Sequence, residues 1–60
     1  LPEFTWGLLA GATSYDIEIA FDSDFTNIFH YATGIRSLSY LMPIALEGGT
    51  RYFWRVRGNS

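Results

Sequence analysis

The stretch Ser14-Tyr15-Asp16-Ile17-Glu18-Ile19-Ala20-Phe21 decides the fold. Its large apolar residues, Tyr15, Ile17, Ile19 and Phe21, fall at every second position, with Asp16, Glu18 and Ala20 between them. A strand points successive side chains to opposite faces, so this order supplies one buried face and one wet face. On a helix the same residues, at i, i+2 and i+4, would scatter around the axis. The segment therefore predicts a strand inside an antiparallel sheet.

The same period continues outward in both directions. Pro2 to Trp6 reads as a short strand with Phe4 and Trp6 on one face, and Gly7 to Ala12 as a loop. Asp22-Ser23-Asp24 is a polar turn, after which Phe25 is expected to return to the core. Asn27 to Ala32 predicts a further strand in which Ile28, Phe29 and Tyr31 do not alternate cleanly, and Thr33-Gly34 is expected to break it. Ser37 to Met42 alternates again, with Leu38, Tyr40 and Met42 together, and Pro43 ends the run because proline has no N–H for the ladder. Ile44 to Gly49 is a connection. Thr50 to Arg57 then sets Tyr52, Trp54 and Val56 on one side and Arg51, Phe53, Arg55 and Arg57 on the other. Short period-two runs with frequent turn signals are the pattern of a β-sandwich or barrel.

Composition narrows what such a chain can be. Sixty residues allow one small domain or part of one. No cysteine is present, so disulfides and thiolate metal sites are excluded, and one histidine does not make a zinc site. Aromatic residues reach 18%, which puts the core within reach despite the length. Four arginines, no lysine and six carboxylates leave a net charge of −2. Nucleic acid, whose binding rests on clustered cations, is not expected, and neither is a polybasic membrane patch. No apolar run has the roughly 20 residues of a membrane helix, so membrane insertion is not expected.

No constellation in the chain points to catalysis, and the expectation is a protein that is not an enzyme and holds no cofactor. Asp22, Asp24 and Thr26 space oxygen ligands as a calcium loop does. An EF-hand loop starting at Asp22 would require glycine and glutamate where Asn27 and Thr33 stand. The simpler reading is a solvated turn, and no metal site is expected. His30 has no nucleophile elbow to serve and reads as a surface residue on a peripheral strand. Asp16 and Glu18 lie about 7 Å apart on one strand face. That spacing suits a glycosidase pair, but an open sheet lacks the burial that raises a carboxyl pKa.

The segment Leu46-Glu-Gly-Gly-Thr50-Arg-Tyr52-Phe-Trp54-Arg-Val56-Arg57 resembles the end of a fibronectin type III domain. There a leucine lies six residues before a tyrosine and a threonine two before it, at the corner leading into strand F, as Leu46, Thr50 and Tyr52 do here. Trp6 is similar to the tryptophan of strand B, Gly11 to Tyr15 to the entry of strand C, and Asp24-Phe25 to the C to C′ connection. Gly48 departs from the family, which often has proline there. The resemblance implies an immunoglobulin-like β-sandwich, incomplete, with residues 1–60 as a single partial domain carrying strands B, C, C′, E and F. Strands A and G have no counterpart. Its core would be Trp6, Tyr15, Ile17, Ile19, Leu46, Tyr52, Trp54 and Val56. If F pairs antiparallel with C, then Asp16 and Glu18 face the arginine row. The row Arg51, Phe53, Arg55 and Arg57 is then either a ladder of ion pairs or a protein-docking face.

Three functions are implied. The first is a non-catalytic structural or protein-binding module of a larger secreted or cell-surface protein, of bacterial type. The second is an accessory module of a secreted polysaccharide-degrading enzyme; carbohydrate binding is compatible with it, although no residue pattern supports that ligand. The third is a partial sandwich completed at an open sheet edge by a strand from another chain. The expected partner is thus protein, either flanking domains or a separate chain, and the expected location is extracellular or at the cell surface.

Overall fold

The computed structural model describes residues 1–60 and contains five strands and no helix. They are β1 (Glu3–Thr5), β2 (Ser14–Ala20), β3 (Ile28–Ile35), β4 (Ser39–Leu41) and β5 (Phe53–Asn59). Two antiparallel sheets result, one ordered β1-β4 and one ordered β3-β2-β5. The smaller ladder continues past its strand ends, since Trp6 N–H donates to Leu38 O at 3.1 Å and Met42 N–H to Pro2 O at 2.9 Å. The predicted strands at Pro2–Trp6 and Ser37–Met42 are therefore both paired, and with each other.

The two sheets meet over a thin core. Only Tyr15, Ile17, Ile19, Ala20 and Met42 are buried. Around Ile17, Ile19 and Met42 pack the half-buried Phe4, Trp6, Phe29, Ala32, Ile35, Tyr40, Leu46, Tyr52 and Val56. Rings bridge the sheets: Trp6 lies 5.8 Å from Tyr15 and Phe4 lies 4.8 Å from Trp54, centroid to centroid. The Trp6 Nε1 donor is buried in this layer without an acceptor.

Several expectations change. Trp54 points inward but stays 44% exposed, because β5 is the outermost strand of its sheet; the Phe4 ring packs on the indole. Phe21 is also partly exposed, at 41%, with its ring edge-on to Phe29 and tilted against Tyr52. Ala20, assigned to the wet face, is fully buried between its register partners Ile28 and Phe53. His30, expected at the surface, is half-buried. It pairs with Ile19 in register and reaches the opposite sheet, where Nε2 and the Tyr40 hydroxyl lie 2.7 Å apart.

Thr33-Gly34 does not break β3. Between the pairs Tyr15↔Ile35 and Ile17↔Ala32 the third strand carries one more residue than its partner, and the same happens between Ile19↔His30 and Ala20↔Ile28. These are β-bulges, and each switches which face the following residues occupy. Two switches within eight residues explain why the alternation of this segment is unreadable in one dimension. Gly34 takes φ = +68° at the first bulge, a conformation that L side chains avoid.

The crossing from the small sheet to β5 is held by Tyr52, whose hydroxyl accepts from Glu47 N–H at 3.0 Å. Tyr15 does the same for the β1–β2 loop, accepting from Leu9 N–H at 3.1 Å. Both bonds tie an irregular backbone to a ring anchored in the core.

Three outcomes are expected. Gly34→Ala costs about 1–2 kcal/mol from its left-handed backbone alone, since a Cβ there meets open space. Gly7→Ala, also in open space but without the positive φ, leaves the urea midpoint near wild type. Tyr52→Phe lowers stability by about 0.5–1.5 kcal/mol by freeing the Glu47 amide; equal melting temperatures for the two proteins would remove the corner from the account.

Candidate functional site

The outward face of the three-stranded sheet gathers the polar chemistry of the chain. Its central row belongs to β2 and its flanking row to β5, in the register Asp16↔Arg57, Glu18↔Arg55 and Ala20↔Phe53. Opposite residues on one face of an antiparallel pair lie close enough for direct contact. Arg57 Nη2 donates to Asp16 Oδ2 at 2.8 Å, and Arg55 Nε donates to Glu18 Oε1 at 2.7 Å. Each arginine is engaged through one nitrogen, and the Arg57 side chain keeps 78% of its surface in solvent.

Asp16 is the hub. Besides Arg57 it accepts from Asn59 Nδ2 at 2.9 Å and from Gly34 N–H at 3.3 Å, so one carboxylate joins β5, β2 and the bulge of β3. The hydrogen bonds from Arg57 and Asn59 hold its pKa below the ordinary aspartate value, and Asp16 in turn raises that of Arg57. A carboxyl stabilised as the anion is the opposite of a general acid. On the other flank, Tyr31 stands beside Glu18 in register and is exposed.

Two aromatic rings support the arginine row. The Arg51 guanidinium lies 5.1 Å from the Phe53 centroid and that of Arg55 lies 4.2 Å from Phe25. Phe25 was expected in the core. The Asp22 turn carries it to the outer face instead. Asp22 accepts from Thr26 N–H and Oγ1–H and from Asn27 N–H, and Phe25 N–H donates to Asp22 O. This closed turn leaves Phe25 at φ = +57°, which a bulky residue rarely adopts. The bonds from Thr26 and Asn27 also hold the Asp22 pKa below its ordinary value. With both oxygens occupied, Asp22 serves the turn.

Phe53, Arg55 and Arg57 thus share the outer face of β5, and Arg51, two residues before the strand, covers the half-buried Phe53. Sequence reasoning missed Phe25, Asn59 and Gly34 as members of this face. Asn59 continues the alternation of β5 by two residues past Arg57, a signal that was available. Phe25 left none, because only the turn geometry decides its side. Comparison with models of known families, with curated proteins and with solved structures finds no match.

Acid titration tests the hub. A depressed carboxyl pKa contributes stability that is present above the unfolded value, roughly pH 4, and is lost as pH falls through the folded one. Asp16→Asn should therefore be less stable than wild type at pH 7, with the gap closing as pH drops toward 2. A gap in urea midpoint that stays constant over that range would show that the Asp16 charge is not what matters.

Proposed function

We propose that this chain is a non-catalytic, immunoglobulin-like β-sandwich module of the fibronectin type III kind, serving as a structural and protein-binding unit of a larger secreted or cell-surface protein. Supporting the fold is the pairing order. The first strand pairs with the fourth, and the second lies between the third and fifth, as strands B, E, C′, C and F of that family would. The Tyr52 hydroxyl bonded to the Glu47 amide agrees with the family's corner.

The observation that carries the functional reading is the preset arginine row of β5. Arg55 is held between Glu18 and Phe25, and Arg57 is held by Asp16, so their positions are determined before any partner arrives. Arginine and aromatic side chains are the residues that concentrate binding energy at protein interfaces, and preorganisation reduces the entropy lost on docking. Histidine and carboxylates that might serve chemistry are engaged elsewhere: His30 with Tyr40, Asp22 with its own turn, Asp16 and Glu18 with arginine.

A photo-cross-linking amino acid placed at Phe53 in the parent protein, in its native setting, should capture a protein partner. The same group at Leu8, which is more exposed than Phe53 and lies on the β1–β2 loop, should not. Equal capture from both positions, or none from Phe53, would sink the docking reading.

A further inference from the structure

Tyr31 is the one tyrosine that the fold does not use. Tyr15, Tyr40 and Tyr52 each pack on another ring and engage the hydroxyl in a bond within the chain. Tyr31 does neither, and it stands 66% exposed on the outer face of β3. It lies opposite Glu18 in register, with Thr33 two residues along on the same side, while Ala32 between them packs on the core. Across β2, Arg55 and Arg57 form a second wall, and Asp16 and Glu18 form the floor. These six side chains border a groove of about 490 Å³, within the range of about 300–1,000 Å³ usual for small-molecule sites. The floor strand is paired on both sides, so both walls of the groove are in place.

The charges of the groove cancel in pairs, Asp16 with Arg57 and Glu18 with Arg55. A ligand with net charge of either sign meets a like charge beside each opposite one, so the site favours a neutral molecule. The groups left free are hydrogen-bonding ones. Each arginine donates to its carboxylate through a single nitrogen, and a guanidinium has five N–H donors. Glu18 accepts at Oε1 alone, which leaves Oε2 open, whereas both oxygens of Asp16 are taken by Arg57, Asn59 and Gly34. Hydroxyl groups donate and accept, and so they satisfy both kinds of free group at once. The apolar surface of the groove is the Tyr31 ring, whose face carries partial negative charge and attracts C–H groups of partial positive charge. A pyranose has this distribution, with hydroxyls around its rim and C–H groups on its faces.

We propose that this groove binds a neutral sugar unit, with one pyranose face on Tyr31 and the hydroxyls shared between Glu18 Oε2 and the free N–H donors of Arg55 and Arg57. Asp16, fully engaged, is a positioning residue that holds Arg57. The polar groups are set by contacts within the chain before the ligand arrives, which limits the ordering that binding costs. The site goes beyond the protein-docking reading and does not need it: Phe53 lies further along β5, opposite Ala20, and does not line the groove.

Amide chemical shifts of the isotope-labelled chain test it, in titrations with neutral oligosaccharides of glucose, mannose, galactose and xylose. At least one should move the amides of Glu18, Tyr31 and Arg55 saturably, with galacturonate and glucosamine oligomers binding at least about fivefold more weakly. Tyr31→Ala should weaken binding about tenfold and Tyr31→Phe, which keeps the ring, less than about threefold. Leu8→Ala, away from the groove, should leave it unchanged. Glu18→Gln removes the charge balance and should move the preference toward the galacturonate oligomer. Each variant is checked for an unchanged amide spectrum outside the face, and the wild-type selectivity decides the proposal even where a variant fails to fold. No shift from any neutral sugar at about 10 mM, or equal binding of the charged oligomers, would overturn it. So would a folded Tyr31→Ala that binds as wild type does, or a glycine–serine peptide that moves the same amides as strongly, which assigns the groove to peptide backbone. A Phe53 cross-link to protein without sugar shifts overturns the sugar site alone; sugar shifts without that cross-link overturn the docking face alone.

Discussion

Strand β2 is hydrogen-bonded along both sides, to β3 and to β5, and it supplies four of the five buried side chains, Tyr15, Ile17 and Ile19 from consecutive inward positions and Ala20 at its end. A slip of one residue would turn these to solvent and bury Asp16 and Glu18 instead, each stripped of its arginine. The register of the central strand is thereby held from two directions, by apolar burial on one face and by ion pairing on the other. The surface pairs contribute little energy by themselves. Their value lies in the penalty they add to every wrong register.

A core this thin leaves much of the chain to be positioned by polar contacts rooted in it. Three such contacts recur with the same construction, a phenol whose ring packs and whose hydroxyl reaches out. Tyr15 holds the Leu9 amide, Tyr52 holds the Glu47 amide, and Tyr40 meets His30 from the facing sheet. A tyrosine suits this task because its body is apolar and its tip is polar. The loop before β2, the corner before β5 and the gap between the sheets are each closed by one of these residues.

The two outer strands of the larger sheet divide the consequences. β3 is bent by its bulges, and Gly34 sends its N–H to Asp16 across the face. That contact couples the shape of the blunted edge to the carboxylate that positions Arg57 on the opposite one. In the proposed reading, the outer face between them keeps its arginines preset. Phe25 fits the same scheme, since a strained backbone is tolerated where the ring supports Arg55.

What the sequence determined by itself is what depends on alternation. The strand of Ser14 to Ala20, the inward set Tyr15, Ile17 and Ile19, and the outward arginines of β5 follow from a period of two that any pairing must respect. The corner at Tyr52 was suggested by the resemblance of Leu46–Arg57 to a fibronectin type III domain, with which the need of a packed phenol for a nearby backbone partner agrees. Tertiary structure alone decided the rest. The bulges of β3 add residues that only a partner strand reveals, and so they hid both the faces of Ile28–Ile35 and the inter-sheet place of His30. Trp54 reads as core by alternation, yet its burial depends on how many strands lie beside β5, a property of the sheet and not of the strand. Phe25 follows from neither period nor propensity; the hydrogen bonds of one aspartate turn choose its side.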